Sequence, residues 1–96
     1  MAQKAGAHPS FACANGKGAA ERIICGDVEL ARLDRIMGEL FVEDRSLSLN
    51  TQQAAEMDAE QRAWLSKRNR CGAVECLRHA YFKRIIDLSR LLPLNS

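Results

Sequence analysis

The sequence has few of the residues that build sheets and no apolar run long enough to cross a membrane. Its 96 residues include only three Phe, one Trp, one Tyr, two Pro and six Gly. No stretch approaches the roughly 18 apolar residues that a transmembrane helix needs. Leu, Ile and Ala supply most of the apolar content and favour helices over strands. A net charge of +2 is also too small to indicate nucleic-acid binding by itself.

The small net charge conceals two halves of opposite sign. Residues 27–60 contain nine acidic and three basic residues, whereas residues 61–96 contain eight basic and two acidic residues. Acidic and basic helices that pack side by side and neutralise each other would explain this pattern, and exposed pairs of this kind are individually weak. The alternative is a pair of oppositely charged surfaces that are open to partners.

Apolar spacing predicts four helices in a single domain over residues 11–93, after a disordered tail at residues 1–10. We expect a short helix ending at Cys25, a second from the N-cap Asp27 to about Asp44, and a third from Asn50 or Thr51 to about Arg68. The fourth carries an apolar stripe of Val74, Leu77, Tyr81, Ile85, Leu88 and Leu92 and ends before Pro93. Short connections predict a small antiparallel all-α bundle, with Trp64 and Phe41 as the largest members of its core.

Four cysteines set the expected compartment: Cys13, Cys25, Cys71 and Cys76. Most structural zinc sites contain two cysteines separated by two residues, and these cysteines lack that spacing. This argues against a zinc site formed by the cysteines with His79. A Cys-x-x-Cys redox motif is absent, and free thiols remain an alternative. We expect two local disulfides, although four cysteines allow three pairings. Disulfides indicate an oxidising compartment and hence an export signal that has been removed.

Five segments, in order, carry a family resemblance: PSFACA, AAERIIC, LARLDRIMGELF, QRAWLSKRNRC and CLRHAYFKRI. They resemble the LprI-like lysozyme inhibitor family, over about Pro9 to Leu88. The resemblance implies an all-α bacterial domain that is secreted, periplasmic or lipid-anchored, in a family some of whose members inhibit host lysozyme. It also implies the frame of four cysteines and packing roles for Leu33, Trp64, Tyr81 and Ile85.

No catalytic constellation is apparent in the sequence. His8 falls in the tail and His79 on the outer face of the fourth helix, and no serine has an evident His and acid partner. We therefore expect a non-catalytic protein with no metal and no cofactor.

Two binding functions follow from the charge pattern. In the first, an acidic face meets the basic cleft of a c-type lysozyme or another cell-wall hydrolase, and helical phase selects Glu39, Glu43, Glu56 and Glu60. In the second, the chain is an envelope module whose C-terminal helices bind anionic polymer, lipid head groups or an acidic protein. The candidates for that surface are Arg62, Lys67, Arg68, Arg78 and Arg84.

Overall fold

The computed structural model describes residues 9–15 and 18–90, and these form an all-α bundle. A short 3-10 helix at Cys13–Asn15 precedes α1 (Gly18–Cys25), α2 (Val28–Ser46), α3 (Thr51–Arg68) and α4 (Val74–Ser89). No strand occurs in the described ranges. The prediction of one short and three longer helices is confirmed. Leu92 and Pro93, which the sequence placed at the end of the fourth helix, lie outside the described residues.

The helix ends follow from local capping. The Asp27 carboxylate accepts the Leu30 amide at 2.9 Å and begins α2, and the Asn50 side chain accepts the Gln53 amide at 2.8 Å and begins α3. Each bond satisfies an amide that the first helical turn leaves free. The predicted caps are therefore confirmed, and α2 runs two residues beyond its expected end.

The order of contacts makes the consecutive pairs α2–α3 and α3–α4 antiparallel. Next to the 47–50 connection, Arg45 of α2 binds Asp58 of α3 at 2.7 Å. At the far end, Asp34 of α2 meets Arg68 of α3. α4 returns beside α3, and α2 and α4 form the most extensive helix pair.

The core lies where α1, α2 and α4 meet. Its buried members are Ala20, Ile24, Leu30, Met37, Cys71, Leu77, Tyr81 and Leu88. Tyr81 is the largest fully buried side chain, whereas Trp64 and Phe41 are only partly buried. The expectation that Trp64 and Phe41 would be the largest core members was therefore wrong. Trp64 instead packs at the border of the core, with its ring edge-on to Tyr81 at 5.2 Å.

Two disulfides join neighbouring segments, Cys13 to Cys25 and Cys71 to Cys76. The first ties the 3-10 helix to the end of α1. The second ties the connection after α3 to the first turn of α4, because Cys71 precedes the helix and Cys76 lies within it. The structure thus has two local disulfides, as predicted, and no cysteine of the described ranges remains as a free thiol.

A buried carboxylate, Asp34, connects segments that are distant in sequence. Its Oδ2 accepts the backbone amide of Ser10 at 2.6 Å and the Ser10 hydroxyl at 2.5 Å. Its Oδ1 accepts the Tyr81 hydroxyl at 2.6 Å and faces Arg68 at 3.4 Å. Arg68 also binds Glu21 of α1 at 3.0 Å. One side chain of α2 therefore holds the N-terminal segment, α3 and α4, and reaches α1 through Arg68. We call this set the Asp34 network.

Ser10 belongs to the folded domain rather than to the predicted tail. Besides its bonds to Asp34, it lies so close to α2 that a Cβ added at Gly38 would be 3.0 Å from the Ser10 Cβ. That distance is tighter than most Cβ contacts, so Gly38 permits this approach. The remainder of the predicted tail, residues 1–8, lies outside the described residues.

Candidate functional site

The four predicted glutamates lie at the end of the bundle where α2 passes into α3, and all four are exposed. Glu39 and Glu43 are one turn apart on α2 and line a groove of about 810 Å³ with Ser10, Gly38 and Val42. Glu56 and Glu60 are one turn apart on α3 and line a separate pocket. The structure therefore brings the glutamates together as two pairs rather than as one cluster of four.

The first pair is partly neutralised by its own helix. Arg35 donates to Glu39 at 3.2 Å across one turn of α2, with both side chains well exposed. Pairs of this kind contribute little to stability and are easily exchanged for another partner. The backbone carbonyl of Glu43 accepts the Ser46 hydroxyl at 2.7 Å, whereas its carboxylate forms no ion pair among the described residues.

The second pair borders a smaller pocket of about 280 Å³, which we call the acidic pocket. It is lined by Asp44, Leu47, Ser48, Gln53, Glu56, Met57 and Glu60. The amide of Gln52 donates to Glu56 at 3.0 Å. Leu47 and Met57 add apolar surface, so the pocket combines three carboxylates with an apolar wall.

Asp44 is the unusual member of the acidic pocket. It is only 4% exposed, and neither carboxylate oxygen has a hydrogen-bond partner. Buried polar groups are almost always hydrogen-bonded, because leaving one unsatisfied costs its full desolvation energy. The described part of the chain therefore provides no hydrogen-bond donor for the Asp44 carboxylate.

The surroundings of Asp44 raise the pKa of its carboxyl group. Burial raises the pKa of the carboxyl above its usual value of 3.8, and the neighbouring charge of Glu43 raises it further. Arg84 opposes both effects. Its guanidinium does not hydrogen-bond to Asp44; its Nε and Nη2 donate to Gln61 at 3.2 and 2.8 Å.

The predicted basic surface is not a single patch. Arg62 and Lys67 are exposed on α3. Arg78 binds Glu29 and Glu75, each at 2.6 Å, and Arg84 is held by Gln61. Arg78 and Arg84 are therefore already engaged by partners within the bundle.

Arg68 was wrongly assigned to the basic surface. Its side chain is only 3% exposed and is bound to Asp34 and Glu21, while its guanidinium lies 5.4 Å from the centre of the Phe11 ring. A guanidinium surrounded in this way belongs to the Asp34 network and cannot reach an external anion.

Some cations do meet in a third cavity of about 390 Å³ beside the Cys71–Cys76 disulfide. Lys67, His79 and Lys83 line it together with Trp64, and all three basic side chains are exposed. The outward position expected for His79 agrees with the structure. Glu60 and Asp87 also line this cavity, so its charge is mixed.

Asp34 and Asp44 were not among the residues predicted from the sequence to form a site. A signal for both was present, because each falls in the apolar phase of α2. Asp34 lies four residues after Leu30 and three before Met37, and Asp44 lies four residues after Leu40. An acidic residue within an apolar stripe is buried together with that stripe. Its carboxylate then either binds a partner inside the protein or lacks a hydrogen bond.

Within residues 9–15 and 18–90, no three His, Cys, Asp or Glu side chains are grouped closely enough to hold a metal ion. None of the helices described has both the length and the hydropathy to span a bilayer. No protein-family model, curated protein or solved structure matches the chain. The resemblance to the LprI-like family therefore stays a prediction.

Proposed function

We propose that the chain is a secreted or periplasmic, non-catalytic protein that binds and inhibits a basic cell-wall hydrolase such as a c-type lysozyme. The contact surface in this proposal is the α2–α3 end of the bundle, with Glu39, Glu43, Glu56 and Glu60. The observation that carries the proposal is Asp44, a buried carboxylate without a donor beside those glutamates. A cationic partner would supply hydrogen-bond donors to the Asp44 carboxylate.

Charge and chemistry support the same partner class. The acidic half of the chain, residues 27–60, forms both walls of this end. Complementary charge across an interface chiefly speeds association and makes it sensitive to salt. The two disulfides suit an oxidising compartment, where cell-wall hydrolases act. The LprI-like resemblance implies the same activity.

The test is the clearing of a peptidoglycan suspension by a c-type lysozyme, with increasing amounts of the oxidised protein. We expect dose-dependent protection that weakens between low and physiological salt, because the attraction between exposed charges is screened. Joint Glu39→Lys and Glu43→Lys substitutions should weaken protection by roughly tenfold or more, which corresponds to about 1.4 kcal/mol.

Glu75→Lys provides the control, since it reverses an exposed acid in the first turn of α4, at the opposite end of the bundle from the 47–50 connection. It should protect as well as the unaltered protein. Complete clearing at every dose and both salt concentrations would reject inhibition of this lysozyme class.

A second candidate function rests on the third cavity. There Lys67, His79 and Lys83 line one cavity with Trp64, an arrangement that could attach the chain to an anionic envelope component. This proposal predicts retention on anionic liposomes at low salt and release at high salt. Lys67→Glu with Lys83→Glu should abolish retention, and absence of retention at low salt would eliminate this function.

A further inference from the structure

We propose that the acidic pocket is a receptor for one arginine side chain of the basic partner, and that Asp44 is the residue that binds its guanidinium. The inference rests on the proposed function, because it identifies the group on the partner that the acidic surface recognises. Asp44 contributes two carboxylate oxygens, both unpartnered, at a pocket whose other carboxylates are Glu56 and Glu60.

The chemistry of the lining selects the ligand class. A metal ion is not indicated, because the described residues contain no group of three acidic, His or Cys side chains close enough to hold one. The pocket has about 280 Å³ and carries apolar surface from Leu47 and Met57 beside its carboxylates. A side chain with an apolar stem and a cationic head matches both surfaces, since such a stem packs on apolar groups while its head is solvated or paired.

Arginine fits this pocket better than lysine does. The two unpartnered oxygens of the Asp44 carboxylate match the planar guanidinium, which donates two parallel hydrogen bonds to a carboxylate. Glu56 and Glu60 line the same pocket and offer further acceptors for the remaining N–H groups. An ammonium is a point charge on a flexible stem and has no such paired geometry.

The chain's own nearby cation does not fill this role. Arg84 is near enough to influence Asp44 electrostatically, yet its Nε and Nη2 donate to Gln61, and neither Asp44 oxygen accepts a hydrogen bond from it. Carboxylates also lie near Asp44: Glu43 precedes it in α2, and Glu56 and Glu60 line the pocket from α3. Arg45, which follows Asp44 in the sequence, is paired with Asp58. A guanidinium that enters the pocket would therefore meet Glu56 and Glu60 besides Asp44.

Entry requires a local movement. Each carboxylate oxygen of Asp44 has less than 1 Å² of accessible surface, so the partner's side chain must displace a covering group. The 47–50 connection lies at the pocket through Leu47 and Ser48, and Leu49 within it is 84% exposed. A segment with so little burial can shift at small energetic cost.

The binding test uses three short peptides, acetyl-Gly-Arg-Gly-amide and its lysine and citrulline counterparts, titrated into the oxidised protein and followed by NMR. We expect the arginine peptide to shift the amide signals of Asp44, Leu47 and Met57. The lysine peptide should do so several-fold more weakly. The citrulline peptide, which keeps the shape but loses the charge, should leave those signals unchanged.

Asp44→Leu is the decisive variant, because it removes the carboxylate without creating a new buried polar group. Glu75→Gln is the matched control, since it removes one exposed carboxylate in the first turn of α4, far from the acidic pocket. We expect Asp44→Leu to abolish the peptide shifts and to weaken lysozyme protection about tenfold or more, while Glu75→Gln changes neither. Far-UV circular dichroism verifies that the variant is folded.

The outcomes separate the two proposals. If Asp44→Leu protects against lysozyme as well as the unaltered protein, or if the arginine peptide shifts signals only elsewhere, the arginine receptor is rejected while inhibition stands. If the arginine peptide binds at Asp44 but lysozyme clears the suspension freely, the receptor stands and the lysozyme target is rejected.

Discussion

Replacing Tyr81 with Phe tests the Asp34 network with the loss of a single oxygen atom. Tyr81 is fully buried, and its hydroxyl donates to Asp34 Oδ1 at 2.6 Å. Burial and the Asp34 charge raise the Tyr81 pKa well above its usual value, so the hydroxyl remains a donor throughout the working pH range. The aromatic ring and its contact with Trp64 would be unchanged.

The magnitude follows from what remains on Asp34. Ser10 still donates to Oδ2, but Oδ1 would keep only the Arg68 contact at 3.4 Å. A hydrogen bond to a charged group contributes about 1.5–3 kcal/mol. We expect a loss in this range. For a domain of this size the decrease in Tm is then on the order of 10 °C.

The measurement is urea and thermal unfolding of the oxidised protein, followed by circular dichroism at 222 nm. Phe82→Leu is the control, because Phe82 is the next residue of α4 and is 45% exposed. That change should alter stability by less than about 0.5 kcal/mol. A Tyr81→Phe variant as stable as the control would refute the view that the Asp34 network holds the bundle together.

Three further predictions concern other parts of the molecule. Replacing the cysteines of the Cys71–Cys76 bond with serine should cost about 2 kcal/mol in urea unfolding, and removing the longer Cys13–Cys25 ring about 3 kcal/mol; equal costs would contradict the loop-length argument. Asp44→Leu should stabilise the protein at pH 7 by about 1–3 kcal/mol, and because the folded-state pKa of Asp44 is raised, this gain should fade as the pH falls towards 3.8. A pH-independent gain would show that ionisation is not its cause. The Arg45 guanidinium holds the pKa of Asp58 below its usual value, so Arg45→Gln should raise that pKa in an NMR titration with little change in stability.

The sequence was sufficient for the helices and the disulfides because both depend on local spacing. The apolar phase of α2 and α4 and the caps at Asp27 and Asn50 are readable within one or two turns. Cys71 and Cys76 are five residues apart, so their pairing needs only a bend before α4. These features were predicted correctly because no distant segment decides them.

Buried charge could not be read in the same way. Arg68 looks like the other bases of its half in the sequence, and only the fold brings Asp34 and Glu21 to it. The phase of α2 indicates that Asp44 is buried, but only the fold shows that its carboxylate meets no donor. The partners of a buried charge depend on contacts that helical phase does not specify, as between Arg68 and the acids 34 and 47 residues before it.

The way α3 is attached has a consequence for the motions of the molecule. Arg68, its last residue, is the only buried residue of α3, whereas α2 and α4 each bury apolar side chains along their length. Local opening is easiest where few apolar contacts must be broken. Amide hydrogens in the first half of α3 should therefore exchange with solvent through partial unfolding. Those of α4 around Tyr81 should exchange only when the whole domain unfolds. The acidic pocket includes residues from this first half of α3. A partner bound there should therefore slow the exchange of these amide hydrogens.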